Sequence, residues 1–304
     1  MNLREWLDQG EARLCAGPHP ERARRDTETL MLHTIGKSKA WLLAHLNDDF
    51  AGCVAIRYAG LLDRRHKGEP IQYITGETEF YGLPLRVTRD VLIPRPETEH
   101  VVESALRLAA QLAPAQRQTL GAPCLDSETW ESNELHPFPR ILDIGTGSGA
   151  IAIALAHGLP DAQITATDIS SSALALAQEN AERNAVAIRF LQGDLLLPVA
   201  EERFDIIVSN PPYVPASDRD SLSVEVRDHE PALALFAGPD GLNVYRHLIP
   251  AAFAALTSGG FLALEIGFGQ ASPIQELLIA SGFHQIEFTP DLQGIPRVVS
   301  AQRH

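Results

Sequence analysis

Cysteine is scarce in this chain: Cys15, Cys53 and Cys124 are the only three in 304 residues. Their number is odd and none stands in a CxxC spacing. That excludes a disulfide framework or a cysteine zinc site and points to free thiols in a reducing cytoplasm. An excess of basic residues is lacking too, since 25 Lys and Arg stand against 39 Asp and Glu, a formal net charge of −14. Such a charge disfavours a sustained grip on a phosphate backbone, which needs stripes of cationic side chains, and suits a basic protein partner or none. No stretch approaches the ~20 continuous apolar residues that cross a bilayer, so no membrane association is expected. The start, Met1-Asn-Leu-Arg-Glu-Trp6, lacks the charged-then-apolar plan of a secretion signal. Internal repeats and low-complexity tracts are missing as well. What is present is apolar material, 45% of the residues, enough for a sizeable core in one large or two modest domains.

Along the chain the hydrophobic period changes twice. Residues 1–70 carry helical spacing: Leu3, Trp6, Leu7 and Leu14, then Ala23, Thr27, Leu30, Met31 and Ile35, then Trp41, Leu42 and Leu46, then Ile56, Ala59, Leu61 and Leu62. This predicts a small helical domain for docking a substrate or partner, or a stabilising appendage. Residues 71–95 shift to strand-compatible side chains punctuated by Gly76, Gly82, Pro84 and Asp90, which predicts a β-hairpin linker. After the stiff Ile93-Pro-Arg-Pro96, Thr98 and Glu99 start a helix predicted to reach about Leu112. Residues 113–138 are polar and are expected to form a flexible surface loop. The third domain, 96–304, then alternates strand and helix from Arg140 onward and ends in a hairpin, 286–289 with 297–302. Repeated β-α units demand a mainly parallel, doubly wound sheet, an α/β fold.

Ligand chemistry falls at the ends of the predicted strands, the binding edge of such a sheet. Asp143-Ile-Gly145-Thr146-Gly147-Ser148-Gly149 follows the first strand and opens a helix, and its glycines allow a tight turn and close approach of a ligand to the backbone. With Ala150 it also satisfies the dinucleotide pattern G-x-G-x-x-[GA], so the loop alone does not choose among nucleotide-type cofactors. Asp168 ends the second strand, where an acid accepts the two ribose hydroxyls of an adenosine. Asp194 ends the third, where its carboxylate can take the adenine amine while Leu195 packs on the ring; helix capping is the alternative for each acid. Asn210-Pro211-Pro212-Tyr213 follows the fourth strand. The prolines stiffen this segment and remove two main-chain donors. The Asn210 side-chain oxygen and the Pro211 carbonyl are left to accept the two hydrogens of a planar NH2 group, with the Tyr213 ring against its flat face. A turn with a structural asparagine is the plain alternative.

Taken together, the glycine loop, the two acids and Asn-Pro-Pro-Tyr resemble class I S-adenosylmethionine (SAM)-dependent methyltransferases that act on a planar NH2. The whole chain resembles the peptide chain release factor glutamine methyltransferases of the HemK family. Thr78-Glu-Phe-Tyr-Gly-Leu83, Pro94-Arg-Pro-Glu-Thr-Glu99, Glu230-Pro231, Gly241-Leu242 and Leu264-Glu-Ile-Gly267 carry the likeness alongside those motifs. The long stretch 113–138 is a departure from the family. The resemblance implies a seven-stranded sheet with an antiparallel final hairpin. It also implies SAM as cofactor, held by Gly145 to Gly149, Asp168, Asp194, Leu195 and Asn210, and a release-factor glutamine at Asn210 to Tyr213, methylated to N5-methylglutamine within a Gly-Gly-Gln tripeptide. Asn210, Pro211 and Tyr213 are the expected catalytic residues. A sulfonium methyl is already electrophilic, so no metal is expected. Alternatives are a ribosomal-protein glutamine methyltransferase, an N6-adenine nucleic-acid methyltransferase and a SAM-binding adaptor on the ribosome without turnover. An NAD oxidoreductase ranks last, for want of a proton donor paired to a hydride site. His157, His229, His247 and His284 stand singly and carry no ligand spacing.

Overall fold

A computed structural model describes residues 1–49, 52–119 and 138–304. In chain order the elements are α1 (Leu3–Cys15), α2 (Ala23–Ile35), α3 (Lys39–Ala44), α4 (Cys53–His66), α5 (Ile71–Thr75), β1 (Glu77–Phe80), β2 (Leu83–Arg86), α6 (Glu99–Thr119), β3 (Arg140–Ile144), α7 (Ala150–Gly158), β4 (Gln163–Asp168), α8 (Ser171–Arg183), β5 (Arg189–Gln192), β6 (Phe204–Ser209), α9 (Val224–His229), α10 (Asn243–Ala255), β7 (Leu256–Glu265), α11 (Ala271–Ala280), β8 (His284–Pro290) and β9 (Pro296–Gln302). They divide into two compact units: Met1–Glu77 with Val87–Arg89 and Asp220–Glu230, and the remainder from Thr78 onward. No described helix is long and apolar enough to cross a membrane.

The first unit is helical. Its opening helix is set by a capping box in which Asn2 Oδ1 accepts from Glu5 N–H at 2.9 Å and Glu5 Oε2 accepts from Asn2 N–H at 3.1 Å. Leu3, Leu7, Leu14, Leu30, Met31, Leu42, Ala55, Tyr58 and Leu62 form its core. Helix α4 is rotated from the expected stripe: Ala55, Tyr58, Leu62 and Arg65 face inward and Ile56 is 76% exposed. The reason is Arg65. Its guanidinium is buried between Asp26, at 2.6 Å, and Glu225, at 2.5 Å, and a buried ion pair fixes which face of a helix turns inward. Residues 71–75, read from the sequence as strand, are the helix α5, closed by Gly76 in the left-handed region. The hairpin itself is shorter than expected, 77–86.

The second unit holds a seven-stranded sheet in the order β5-β4-β3-β6-β7-β9-β8. Pairing is parallel from β5 to β7, and β9 runs antiparallel to both β7 and β8. Neighbouring strand residues feed opposite cores, as a period of two requires. Ile141, Ile206, Val208 and Ala263 join α6 and α7 on one face, while Leu142, Ile207, Leu262 and Leu264 join α10 and α11 on the other. Because both faces are covered, these strands read as mainly apolar runs and not as an alternation of apolar and polar residues. Helix α6 continues to Thr119, so residues 113–119, expected in the flexible loop, are helical; the rest of that expected loop, apart from Phe138, lies outside the described residues. The order in which successive strands are added reverses between β3 and β6, which are parallel neighbours, and this switch point is where open α/β sheets take ligands.

Candidate active site

The glycine loop leaves β3 at that switch point. Gly145 and Gly147 have φ of +70° and +56°, and a Cβ on either would meet nothing within 4 Å. Their requirement for glycine is therefore conformational, and the space beside them is open to a ligand. The loop is held from beneath: Gly145 and Thr146 N–H both donate to the Thr167 carbonyl, at 2.8 and 3.0 Å. Thr146 and Ser148 are buried, so those two residues offer a ligand only main chain. The Thr146 hydroxyl donates to Asp143 Oδ2 at 2.6 Å. Asn180 takes the Ser148 carbonyl at 2.9 Å and pairs both main-chain groups of Arg86, which ties β2 to the loop. Asp143 is fully buried, and burial pushes its carboxyl up to about 7 against the pull of the Thr146 hydroxyl and the Ala152 main chain.

Asp168 lies across from the loop at the end of β4. Its Oδ2 accepts from Gly147 N–H and its Oδ1 from Ser170 N–H, both at 2.9 Å. The carboxylate therefore keeps lone pairs to spare at the open side of the glycines. Ser170, not Asp168, caps α8. Asp194 is exposed after β5, and the short turn that follows, Leu197–Val199, carries no side-chain cap. Leu195 is half-buried at φ +49°, an uncommon conformation for a leucine, and its carbonyl accepts from the Thr167 hydroxyl at 3.1 Å. Gly145, Asp168, Asp194 and Leu195 thus stand at three successive strand ends, as expected.

Asn210 follows β6, the strand beside β3. Its Nδ2 donates to Thr98 Oγ1 at 3.0 Å, and Thr98 Oγ1 donates to Glu265 Oε2 at 2.6 Å. The other oxygen of Glu265 accepts from the Tyr213 hydroxyl at 3.1 Å. Among the described residues nothing donates to Asn210 Oδ1 or to the Pro211 carbonyl. Pro211 is buried and Pro212 half-buried. The Tyr213 ring packs on the core and its carbonyl accepts from Gln270 Nε2 at 3.0 Å. Gly241 closes over the same carbonyl: at φ +74°, a Cβ there would overlap the Tyr213 oxygen and sit 2.8 Å from Gln270 Nε2. Burial raises the Tyr213 phenol, and the neighbouring Glu265 carboxylate adds to this. Burial likewise pushes Glu265 up to about 7, opposed by the two hydroxyl donors.

Three of these residues were not assigned a site role from the sequence. Thr98 was expected to start a helix; instead it ends a turn, Pro96–Thr98, buried with its hydroxyl on Glu265, and α6 begins at Glu99. Glu265 stood only within Leu264-Glu-Ile-Gly267, without a role. Asp143 was quoted within the loop without a role. For the two acids the available signal was a carboxylate at the end of an apolar strand run, next to last in β3 and last in β7, which is costly unless it is used.

The description "PrmC N-terminal domain" matches residues 5–76, and "Methyltransferase small domain" matches residues 129–226. The release factor glutamine methyltransferase of Moorella thermoacetica is 42% identical over 306 residues, covering 100% of this chain and 99% of its own. Those of Geobacter sulfurreducens and Escherichia coli K12 are 40% and 38% identical, covering 93% and 98% of this chain and 90% and 98% of their own. Among solved structures, the hMettl16 catalytic domain in complex with a 3′UTR hairpin aligns at a TM-score of 0.54 and 16% identity, over 83% of this chain and 82% of that one. A T. thermophilus 16S rRNA methyltransferase in complex with AdoMet and guanosine aligns at 0.51 and 20%, over 75% of this chain and 50% of that one. Both likenesses speak for the fold, a class I methyltransferase sheet. Identity at this level over the full length of such relatives leaves one conclusion about kinship: the chain belongs to the release factor glutamine methyltransferase family.

Proposed function

We propose that the protein transfers a methyl group from SAM to the side-chain amide nitrogen of the glutamine in a Gly-Gly-Gln tripeptide of peptide chain release factors, giving N5-methylglutamine, S-adenosylhomocysteine and a proton, in the cytoplasm. The observation that carries this reading is the orientation of Asn210, whose NH2 is spent on Thr98 and whose oxygen, beside the Pro211 carbonyl, meets no donor among the described residues. The open side of Gly145 and Gly147 and the spare lone pairs of Asp168 fit an adenosine-bearing cofactor. In this reading the main chain of Gly145 to Gly149, with Asp168, Asp194, Leu195 and Asn210, holds SAM, which when bound supplies an electrophilic methyl on a sulfonium.

The chain's own part is to make a poor nucleophile competent. An amide nitrogen shares its lone pair with the carbonyl. When Asn210 Oδ1 and the Pro211 carbonyl accept its two hydrogens, electron density moves back onto nitrogen and the group is fixed in line for attack. Such placement supplies on the order of 7 kcal/mol in favourable cases. Tyr213, anchored through its hydroxyl, keeps water from the flat face of the amide. The test is mass spectrometry of unmethylated release factor incubated with the enzyme and SAM, which should find one added methyl on the tripeptide glutamine. Asn210→Ala should leave SAM affinity within a few-fold and abolish transfer; equal loss of both would remove the assigned role.

A further inference from the structure

We infer that Glu265 and Thr98 are positioning residues that set which end of the Asn210 carboxamide faces the substrate. This rests on the function proposed above and adds a residue pair and a control to it. An ionised carboxylate only accepts hydrogen bonds. Both oxygens of Glu265 are engaged, one by the Thr98 hydroxyl and the other by the Tyr213 hydroxyl. Each hydroxyl owns a single proton and has given it to Glu265. Thr98 therefore turns only lone pairs toward Asn210, and the amide must meet it with NH2, at 3.0 Å. The Asn210 oxygen is forced outward by a charge two hydrogen bonds away. No other arrangement satisfies all four groups while the carboxylate is charged.

Protonation undoes this. A proton on Glu265 Oε2 would donate to Thr98, free the threonine hydrogen to point at Asn210, and make the amide oxygen the matching partner. The carboxamide then turns its NH2 outward, where it repels the NH2 it is meant to hold. The groups facing Glu265 leave the carboxylate poised for this switch. Tyr245 on α10 donates its hydroxyl to the Glu265 main-chain oxygen at 2.7 Å and brings no charge. Glu97, in the turn that holds Thr98, opposes ionisation, while Arg297 on β9 favours it. Arg297 is itself bound to Asp291 at 2.9 Å, which blunts its effect. Glu265 is 2% exposed, and burial lifts its carboxyl to about 7.

The experiment measures kcat at saturating SAM and saturating unmethylated release factor, between about pH 6 and pH 8, alongside S-adenosylhomocysteine affinity. The wild type should lose rate toward acid, nearing tenfold per pH unit below about 7. Glu265→Gln cannot titrate, so its rate should be lower than the wild type's at pH 8 but flat. Thr98→Val keeps the shape and removes the hydroxyl. It should cost about a hundredfold in kcat, leave S-adenosylhomocysteine affinity within a few-fold and also flatten the profile, because Glu265 is then disconnected. Thr98→Ser should restore most of the rate and the acid limb. Glu265→Gln added to Thr98→Val should cost nothing more. An acid limb that survives in Glu265→Gln, or a Thr98→Val enzyme as fast as wild type, overturns the inference while leaving the methyltransferase reading intact. A wild type that transfers no methyl to the glutamine ends both.

Discussion

Sealing Glu265 beneath Asn210 has a cost that unfolding can measure. Its folded pKa of about 7 stands above the 4.5 of an unperturbed glutamate. The fold therefore resists the ionised form. The penalty is absent below about 4.5, grows as pH rises, and is complete above about 7, where it reaches roughly 3 kcal/mol. Glu265→Gln carries no charge to bury. It should melt several degrees above the wild type near pH 8, and the advantage should shrink toward pH 5, in thermal or urea unfolding. A variant that is more stable yet slower is the mark of a residue kept for its site; a merely structural glutamate would lose stability on replacement. The same pair shows why part of the site is hidden in the sequence. Asn210, Asp168 and the glycine loop are legible because each follows a recognisable strand, so local pattern alone puts them on one edge. Thr98 lies 112 residues from Asn210 and 167 from Glu265. Nothing local distinguishes its hydroxyl from a helix cap, and only the assembled sheet brings the three together.

Elements β6 and β7 carry the wall and its support, and the turns around them are built to tight tolerances. Gly241, just before α10, has positive φ and lies against the Tyr213 carbonyl. Gly241→Ala combines a strained backbone with an overlap on main chain that cannot give way. It should cost about 1–3 kcal/mol in stability and, by displacing Tyr213, should lower methyl transfer several-fold. Gly36, also at positive φ, ends α2 with nothing within 4 Å of an added Cβ. Gly36→Ala should cost only about 1 kcal/mol and leave turnover unchanged. Denaturant midpoints and turnover of the two variants separate strain alone from strain that reaches the site. The elements themselves were mostly legible: the alternation of strand and helix from Arg140 onward and the closing antiparallel pair match the expected order. The misses have physical causes. Residues 71–75 lack a helical period because five residues make barely one turn, and α5 is held by its Pro70 start and Gly76 end. β7 begins as early as Leu256 because an irregularity in its pairing with β6 absorbs Thr257-Ser-Gly-Gly260, which in isolation looks like a turn.

At the scale of the whole molecule, charge decides what the wall alone does not. Two acceptors and an aromatic ring suit the NH2 of adenine as well as that of a glutamine amide. The fold does not choose either, since the hMettl16 domain with its RNA hairpin shares it at 16% identity. Net charge does discriminate. At −14 the chain and a polyanion repel each other, and no release of counterions rewards their contact. Labelled SAM offered with release factor or with an adenine-bearing DNA or RNA oligomer should therefore label the protein alone at about 0.15 M salt. The dependence on salt is the sharper readout. An enzyme that works on nucleic acid gains steeply as salt falls, because each phosphate contact then releases ions into a more dilute solution. Here the Debye length grows from about 8 Å to about 30 Å between 0.15 and 0.01 M, so dilution lengthens the reach of the repulsion. Labelling of the oligomer should stay at background across that range, and a rate that climbs as salt is removed would return the adenine reading to first place.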